Sequence, residues 1–479
     1  MKRLFLNRIL LTTIIMTAVI SCSDGIDPKE DSTGEKVTDP VFPGSSDGDY
    51  TVSGIFTDGM VPQRNSTVSV FGSADKGRQI LVSGSWSEDT VKVYPFKDGK
   101  FVAKIKTPDA GGPYTLSVND STYTDVMIGE VWLCAGQSNM QLRLSQTNMA
   151  GVANENNPDI RMFTVKIAES REPQDTIPGG AWYYGPVQSI KNQVSATGYY
   201  FARMLNQELD IPIGMICTAR GSTGAEEWLN GDVFETLPDN VKNAFEQTDI
   251  KWPGCWYNAM VCPLFNYSIK GAIWYQGENN SSRPQTYQIL MQKLVEDWRE
   301  RFNNETMSFY MVQLPSFNKA HWSPFRLVQQ RTAESIPYCS FITSIDTGEK
   351  ADIHPKNKLT IGNRLAELAL ANDYGIEGYR SAPPVLDKIE YSSDKIKATF
   401  RNVTGIKSKT ADPPQYFEIC GADGRFYPAD VVIVDNKTIL ISSEDVPVPK
   451  NVRYYWTGWG TPNFVDSDGW PIAPFNTIE

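Results

Sequence analysis

The stretch from Gly129 to Gln141, GEVWLCAGQSNMQ, decides the fold. Val131 to Ala135 is a short apolar run with β-branched and aromatic residues, which suits a buried strand. Gly136 breaks the run. Ser138 then follows among small and polar neighbours, so its hydroxyl falls on a turn just past a strand's carboxyl end, where open α/β sheets place their ligands. A nucleophile belongs there. A serine after a glycine is nevertheless more often an N-cap or turn residue, and this stretch alone does not separate the two roles.

Working outward, residues 127 to 380 alternate strand-like and helix-like segments, the α/β signature. Helices are predicted over Ala196 to Glu208, Gln285 to Phe302 and Lys356 to Ala371, and strands over Ile213 to Thr218, Ser308 to Leu314 and Ser340 to Ile345. Residues 50 to 126 are turn-rich and alternating, with VSVFGSA, QILVSGSW, VKVYPFKDGKFVAKI and YTLSVND as strand candidates of a small β domain. From 381 to 479 the chain returns to β-like pieces such as IKATFRNV, VVIVDNKTILISS and VRYYWTGW. An α/β core flanked by two β regions is the expected architecture.

The first 21 residues have a basic start and an apolar stretch, Ile9 to Ile20, too short for a convincing spanning helix. Val19, Ile20 and Ser21 ahead of Cys22 resemble the bacterial lipoprotein box, in which the cysteine is lipidated and becomes the mature N-terminus. Residues 22 to 49 are polar and read as a solvated tether. A lipid-anchored protein of the bacterial cell envelope follows as the expectation, on the periplasmic face or the cell surface. The chain has 479 residues and a formal charge of −11; the leader carries three basic residues (Lys2, Arg3, Arg8) and no acidic one, so its removal brings the charge to −14. Such an acidic body argues against nucleic acid as a partner.

Cys134, Cys217 and Cys339 lie in apolar runs and read as buried thiols. Cys255 and Cys262 form the one close pair, where a bridge is possible. No zinc spacing occurs, and His321 and His354 are the only histidines. Neither belongs to an HExxH pattern, so no metal site and no cofactor are expected.

In ADIHPKNKLTIGNRLAELAL, Asp352 and His354 stand two apart ahead of an amphipathic helix, and Pro355 restricts His354 to an extended conformation. A serine needs a base to take its proton, and that base works best when a third group holds its tautomer. Ser138, His354 and Asp352 supply those roles; a capping or packing histidine is the bland alternative, and an imidazole base would have to be His354 or His321. In KGAIWYQGENN, a strand-like run ends at Tyr275 and Gln276, Gly277, Glu278, Asn279 and Asn280 crowd its exit, where amides could donate to a developing oxyanion. In ARGSTGAEEW, Gly221, Ser222 and Gly224 follow another strand and could add backbone donors.

The blocks GEVWLCAGQSNM, KGAIWYQGENN and DIHPKNK, in this order and spacing, resemble the sialate O-acetylesterase family of SGNH (GDSL-like) hydrolases. FTDGMVPQR, DGKF and AGGPYTLSV upstream, and FEICGADGRFYPA and DGWPIAPFNT downstream, extend the resemblance over nearly the whole chain. It implies a three-layer α/β/α core and removal of acetyl groups from sugar hydroxyls, with Ser138 as nucleophile and His354 as base. It also implies an oxyanion hole from the Ser138 and Gly221 amides plus a side chain of the QGEN block, Gln276 or Asn279. The sequence departs from the superfamily pattern in spacing Asp352 and His354 as DxH rather than DxxH. A second departure is Arg220, Gly221, Ser222 where the oxyanion block usually carries two adjacent glycines, often after a Trp.

The expected substrate is an acetylated carbohydrate, either a 9-O-acetylated sialoglycan or a plant glycan such as acetylated xylan or pectin. A rival of another class is a glycan-binding surface lipoprotein whose hydrolase core is inactive. Intact Ser138 and His354 favour the enzyme. Trp132, Trp182, Trp228, Trp256 and Trp322 are candidate sugar-stacking surfaces, although a Trp in a β-rich protein is more often core.

Overall fold

The computed structural model describes residues 48–478 apart from residue 320. The leader, Cys22 and nearly all of the tether lie outside the described residues. A central sheet is built from β1 (Glu130–Gly136), β2 (Asn156–Val165), β3 (Gly180–Pro186), β4 (Ile213–Ala219), β5 (Gly271–Tyr275), β6 (Ser308–Val312) and β7 (Cys339–Ile342). Its spatial order is β3-β2-β4-β1-β5-β6-β7. Every neighbouring pair is parallel except the edge pair β3 and β2. β1 lies between β4 and β5, and the chain builds outward from it in both directions. That reversal makes the exit of β1 a switch point of the sheet.

Five helices matter to the site: α1 (Ser138–Gln141), α2 (Ala196–Leu209), α3 (Pro284–Arg301), α4 (Trp322–Ser335) and α5 (Lys358–Asn372). Alternate residues of β1 enter opposite cores. Trp132 and Cys134 pack with Phe201 and Leu205 of α2 and Leu365 of α5, whereas Val131, Leu133 and Ala135 pack on the face of Leu290 and Leu294 of α3 and Phe325 of α4. The sheet is therefore the middle of three layers. A one-residue slip of β1 would exchange its two faces. Trp132 and Leu133 are fully buried, and such burial contributes roughly 1.5–3 kcal/mol per side chain.

The β module before the core has two antiparallel sheets, one of Tyr50–Val52, Thr67–Ala74 and Lys100–Lys106, the other of Ile80–Gly84, Thr90–Val93, Gly111–Val118 and Ser121–Ile128. Tyr267 Oη donates to the Val61 carbonyl at 2.7 Å and Trp182 Nε1 to that of Ile55 at 2.9 Å, tying this module to the core. The module after the core contains two four-stranded antiparallel sheets with their own apolar cluster around Ile396, Phe417, Ile439 and Phe464. Arg326 of α4 joins it to the core: fully buried, it donates to the carbonyls of Leu314, Pro315, Thr457 and Gly458. Burial pushes its pKa down to about 10.

The expected helices at 196, 285 and 356 and the strands at 213, 308 and 340 are all present, with ends displaced by a residue or two in most cases. β2, β3 and α4 were not anticipated. The possible bridge between Cys255 and Cys262 is not made: both thiols are free, and Cys255 Sγ lies 3.5 Å from Glu227 Oε1. Cys134 and Cys217 are buried partners across β1 and β4, and Cys339 is partly buried. Trp132, Trp228 and Trp322 are fully buried and Trp182 and Trp256 nearly so, which makes them core residues rather than open stacking surfaces.

Candidate active site

Gly136 ends β1 with φ +134°, and a Cβ there would meet the Tyr275 carbonyl oxygen at 2.2 Å, so only glycine lets the chain turn this close to β5. The turn delivers Ser138 as the first residue of α1. Its amide and the next have no intrahelical acceptor, as at any helix start. α2 buttresses the turn from behind: its N-cap Ser195 donates to the Met140 carbonyl at 2.6 Å and accepts from the Gly198 amide at 3.2 Å.

His354 comes from the loop between β7 and α5. Asp346 in that loop accepts two 2.7 Å bonds from Arg364 of α5, and Glu349 accepts from the Lys356 amide at 2.8 Å. Asn357 caps α5 by accepting from the Thr360 amide at 3.2 Å. Held in this way, His354 Nε2 stands 2.9 Å from Ser138 Oγ, a base within reach of the hydroxyl proton. Burial depresses the imidazole pKa, the Lys358 and Lys356 ammonium groups add to that, and the Asp352 carboxylate opposes it. His321 is exposed at the start of α4 and makes no bond to Ser138.

Asp352 contacts His354 mainly through the backbone. Its Oδ1 accepts from the His354 amide at 2.8 Å and lies 3.5 Å from Nδ1, while Oδ2 pairs with Lys356 Nζ at 3.0 Å. The His354 amide first, then Lys356, keep the carboxyl below its ordinary pKa. The DxH spacing brings the acid to the ring with a longer contact than a strong charge-assisted bond, which falls at about 2.7–2.9 Å.

Gly221 lies against the nucleophile: a Cβ on it would stand 3.3 Å from Ser138 Cβ. Its amide donates to Gln141 Oε1 at 2.8 Å, so the side-chain carbonyl of a residue of α1 occupies this donor. Gln276 turns away from the serine. Its fully buried Nε2 donates to the Thr223 carbonyl at 3.1 Å and Asn280 Oδ1 at 2.7 Å, and its Oε1 accepts from Tyr287 at 3.2 Å. Both of its donor hydrogens are committed to this scaffold. Asn279 is partly exposed and its side chain makes no hydrogen bond among the described residues.

The sequence reading missed Asn139 and Lys358, and it named Glu278 only as one of the residues crowding the exit of β5. Asn139 is fully buried; its Nδ2 donates to Glu278 Oε1 at 2.6 Å and to the Ile353 carbonyl at 3.0 Å, and its Oδ1 accepts from Lys358 Nζ at 2.5 Å. One amide thus ties the residue after the nucleophile, the residue before the base and the exit of β5 together. Burial drives Lys358 down to about 7 and raises Glu278. The Lys358 ammonium also sits 4.8 Å from the Tyr275 ring. All three lie inside the blocks GQSNM, QGEN and DIHPKNK, which is the one sequence signal that could have found them.

A serine and a histidine in hydrogen-bond contact at the switch point of a mostly parallel sheet form the nucleophile-and-base arrangement of the serine hydrolases. Residues 128–371 match the profile of the carbohydrate esterase, sialic acid-specific acetylesterase family, and the chain belongs to that family. It is 26% identical over 474 residues to human sialate O-acetylesterase, covering 87% of this chain and 90% of that one. The mouse sialate O-acetylesterase is 25% identical over 476 residues, with 84% and 88% covered. A solved carbohydrate acetylesterase from Xanthomonas citri superposes with a TM-score of 0.82 at 30% identity, over 89% of this chain and 99% of that one. The protein is a carbohydrate esterase with the SGNH-like core flanked by β sheets that the sequence implied.

Proposed function

We propose that this esterase removes O-acetyl groups from sugar hydroxyls, above all the 9-O-acetyl group of sialic acids, through an acetyl-enzyme on Ser138. The 2.9 Å contact between Ser138 Oγ and His354 Nε2 carries the reading; the relatives named as sialate O-acetylesterases support the choice of sugar. His354 Nε2 takes the hydroxyl proton as Oγ bonds to the acetyl carbon, and the carbonyl oxygen becomes an oxyanion. The bond from carbon to the sugar oxygen then breaks, and that oxygen leaves with the proton from His354. Water repeats the sequence in reverse, giving acetate and free Ser138.

The oxyanion rests on the Ser138 and Gly221 amides, with Asn279 rather than Gln276 as the side-chain donor. For Gly221 to serve, the substrate oxygen displaces Gln141 Oε1. Asp352 orients the imidazole. Loss of a general base costs about two to four orders of magnitude, and members of one unit fail together. Ser138→Ala and His354→Ala should therefore each nearly abolish acetyl release, the double variant should be scarcely worse, and Asp352→Asn should fall between. His321→Ala should keep most activity; a dead His321→Ala or an active His354→Ala sinks the assignment.

We also propose that Cys22 is lipidated and anchors the enzyme at a membrane surface of the cell envelope. Metabolic labelling with a lipid precursor should tag the wild type and spare Cys22→Ala, and equal labelling of both would refute it.

A further inference from the structure

Next to Gly221 in the chain stands an exposed arginine that has no charged partner among the described residues. Arg220 follows β4 directly, its amide donating to the Gly136 carbonyl at 3.1 Å and its carbonyl accepting from Thr223 Oγ1 at 2.9 Å. The next residue, Gly221, is the one packed against Ser138. The backbone is thus pinned at both ends while the side chain is exposed. Its guanidinium carbon lies 5.8 Å from the centre of the Trp256 ring, and Lys251 Nζ lies 5.2 Å from the centre of the same ring.

Among the described residues the Arg220 guanidinium has no hydrogen bond and no ion pair. The neighbouring carboxylates are committed elsewhere. Glu226 accepts from Asn280 and Arg283, Glu227 accepts from the Gly224 amide and the Trp256 indole, and Glu169 pairs with Lys251. A chain of net charge −11 has carboxylates in excess, yet none among the described residues is paired with this arginine. Contact with the indole restricts the guanidinium, and its planar fork of donors matches a carboxylate better than any neutral group.

We infer that Arg220 binds the carboxylate of a sugar acid whose acetyl ester lies at Ser138, so that the enzyme selects acetylated sugar acids over neutral acetylated glycans. The inference rests on the esterase reading of Ser138 and extends it to the residue that sets specificity. Arg220 stands where the oxyanion block of the resembling enzymes often carries a Trp, so recognition by charge at this position is a property of this chain. The carboxylate could belong to a sialic acid or to a uronic acid of a plant glycan; the chemistry at Arg220 is shared.

The test compares kcat/KM of the full chain on 9-O-acetyl-N-acetylneuraminic acid, its methyl ester, acetylated oligogalacturonide and acetylated xylo-oligosaccharide. A charge-assisted pair at a partly solvated site should favour the free acid over its methyl ester by about tenfold. That ratio should fall to about one in Arg220→Ala, stay intermediate in Arg220→Lys, and shrink with added salt in the wild type. The better of the two acids identifies the source of the carboxylate. A wild-type ratio near one, a ratio unchanged by Arg220→Ala, or a preference for the xylo-oligosaccharide overturns the inference. Wild-type turnover of p-nitrophenyl acetate reports separately on the esterase reading: its absence sinks that reading and this one with it, whereas turnover without acid preference sinks the role of Arg220 alone.

Discussion

Asn139→Ala removes the one side chain that bonds at once to α5, to the loop before His354 and to the exit of β5. Two of its three hydrogen bonds go to ionisable groups, Glu278 and Lys358, and the third goes to the Ile353 carbonyl. Bonds to charged groups contribute about 1.5–3 kcal/mol each and a neutral one about 1, so a simple sum gives roughly 4–7 kcal/mol. Lys358 and Glu278 soften that loss, because burial already pushes both toward their neutral forms. The expected destabilisation is therefore about 3–5 kcal/mol, read from the urea midpoint of tryptophan fluorescence. In the folded fraction the serine and the imidazole are no longer tied through a common amide, and a misplacement of about 1 Å should lower turnover of an acetyl ester by roughly a hundredfold. A variant that loses less than about 1 kcal/mol and keeps turnover within a few-fold of wild type would show that this amide does not couple the nucleophile to the base.

The pH dependence follows from the same surroundings. Only neutral His354 can accept the serine proton, and burial with Lys358 and Lys356 depresses its pKa, so the acid limb of kcat/KM should be centred below the ordinary histidine value of 6.5. Lys358→Met removes one of those cations and should move the limb to higher pH; a wild-type limb above 6.5 contradicts the account. For stability, Lys358 titrates near 7 when folded against 10.5 when unfolded. Between those values the unfolded chain binds the extra proton, so this lysine's contribution to stability rises with pH. The wild type should accordingly gain stability relative to Lys358→Met from pH 7 to 10, and a flat difference across that window would refute the burial argument. Gly221→Ala sets a methyl 3.3 Å from both Ser138 Cβ and Gln141 Oε1, and kcat/KM on acetyl esters should fall roughly ten- to a hundredfold with circular dichroism unchanged.

What the sequence made legible was whatever depends on a short local pattern. β1 shows because both of its faces are buried, which leaves an unbroken apolar run, and α5 shows because Leu359, Leu365, Leu368 and Ala369 recur on one face. β2 hides because Asp159 and Arg161 interrupt it, and Arg161 reaches its partner Asp125 in another module, 36 residues away. α4 hides because it begins next to aromatic and proline residues and buries Arg326, a charge whose acceptors are carbonyls up to 132 residues distant.

The same division runs through the site. Ser138 and Gly221 drew notice because each sits just past a strand, and His354 because only two histidines occur and Asp352 lies two residues away. The choice between Gln276 and Asn279 could not be made from spacing, since both follow β5 by a few residues. What the fold adds is that the Gln276 amide finds its acceptors at Thr223 and Asn280, on two separate loops. Asn139 and Lys358 were invisible for the same reason: an asparagine after the nucleophile and a lysine at a helix start have ordinary local meanings. Only the fold reveals that 219 residues of chain separate two atoms 2.5 Å apart. Residues that do chemistry leave local marks, whereas those that hold the chemistry in place are defined by partners far along the chain. The catalytic blocks of this enzyme therefore carry two layers of information, of which the sequence alone exposes the first.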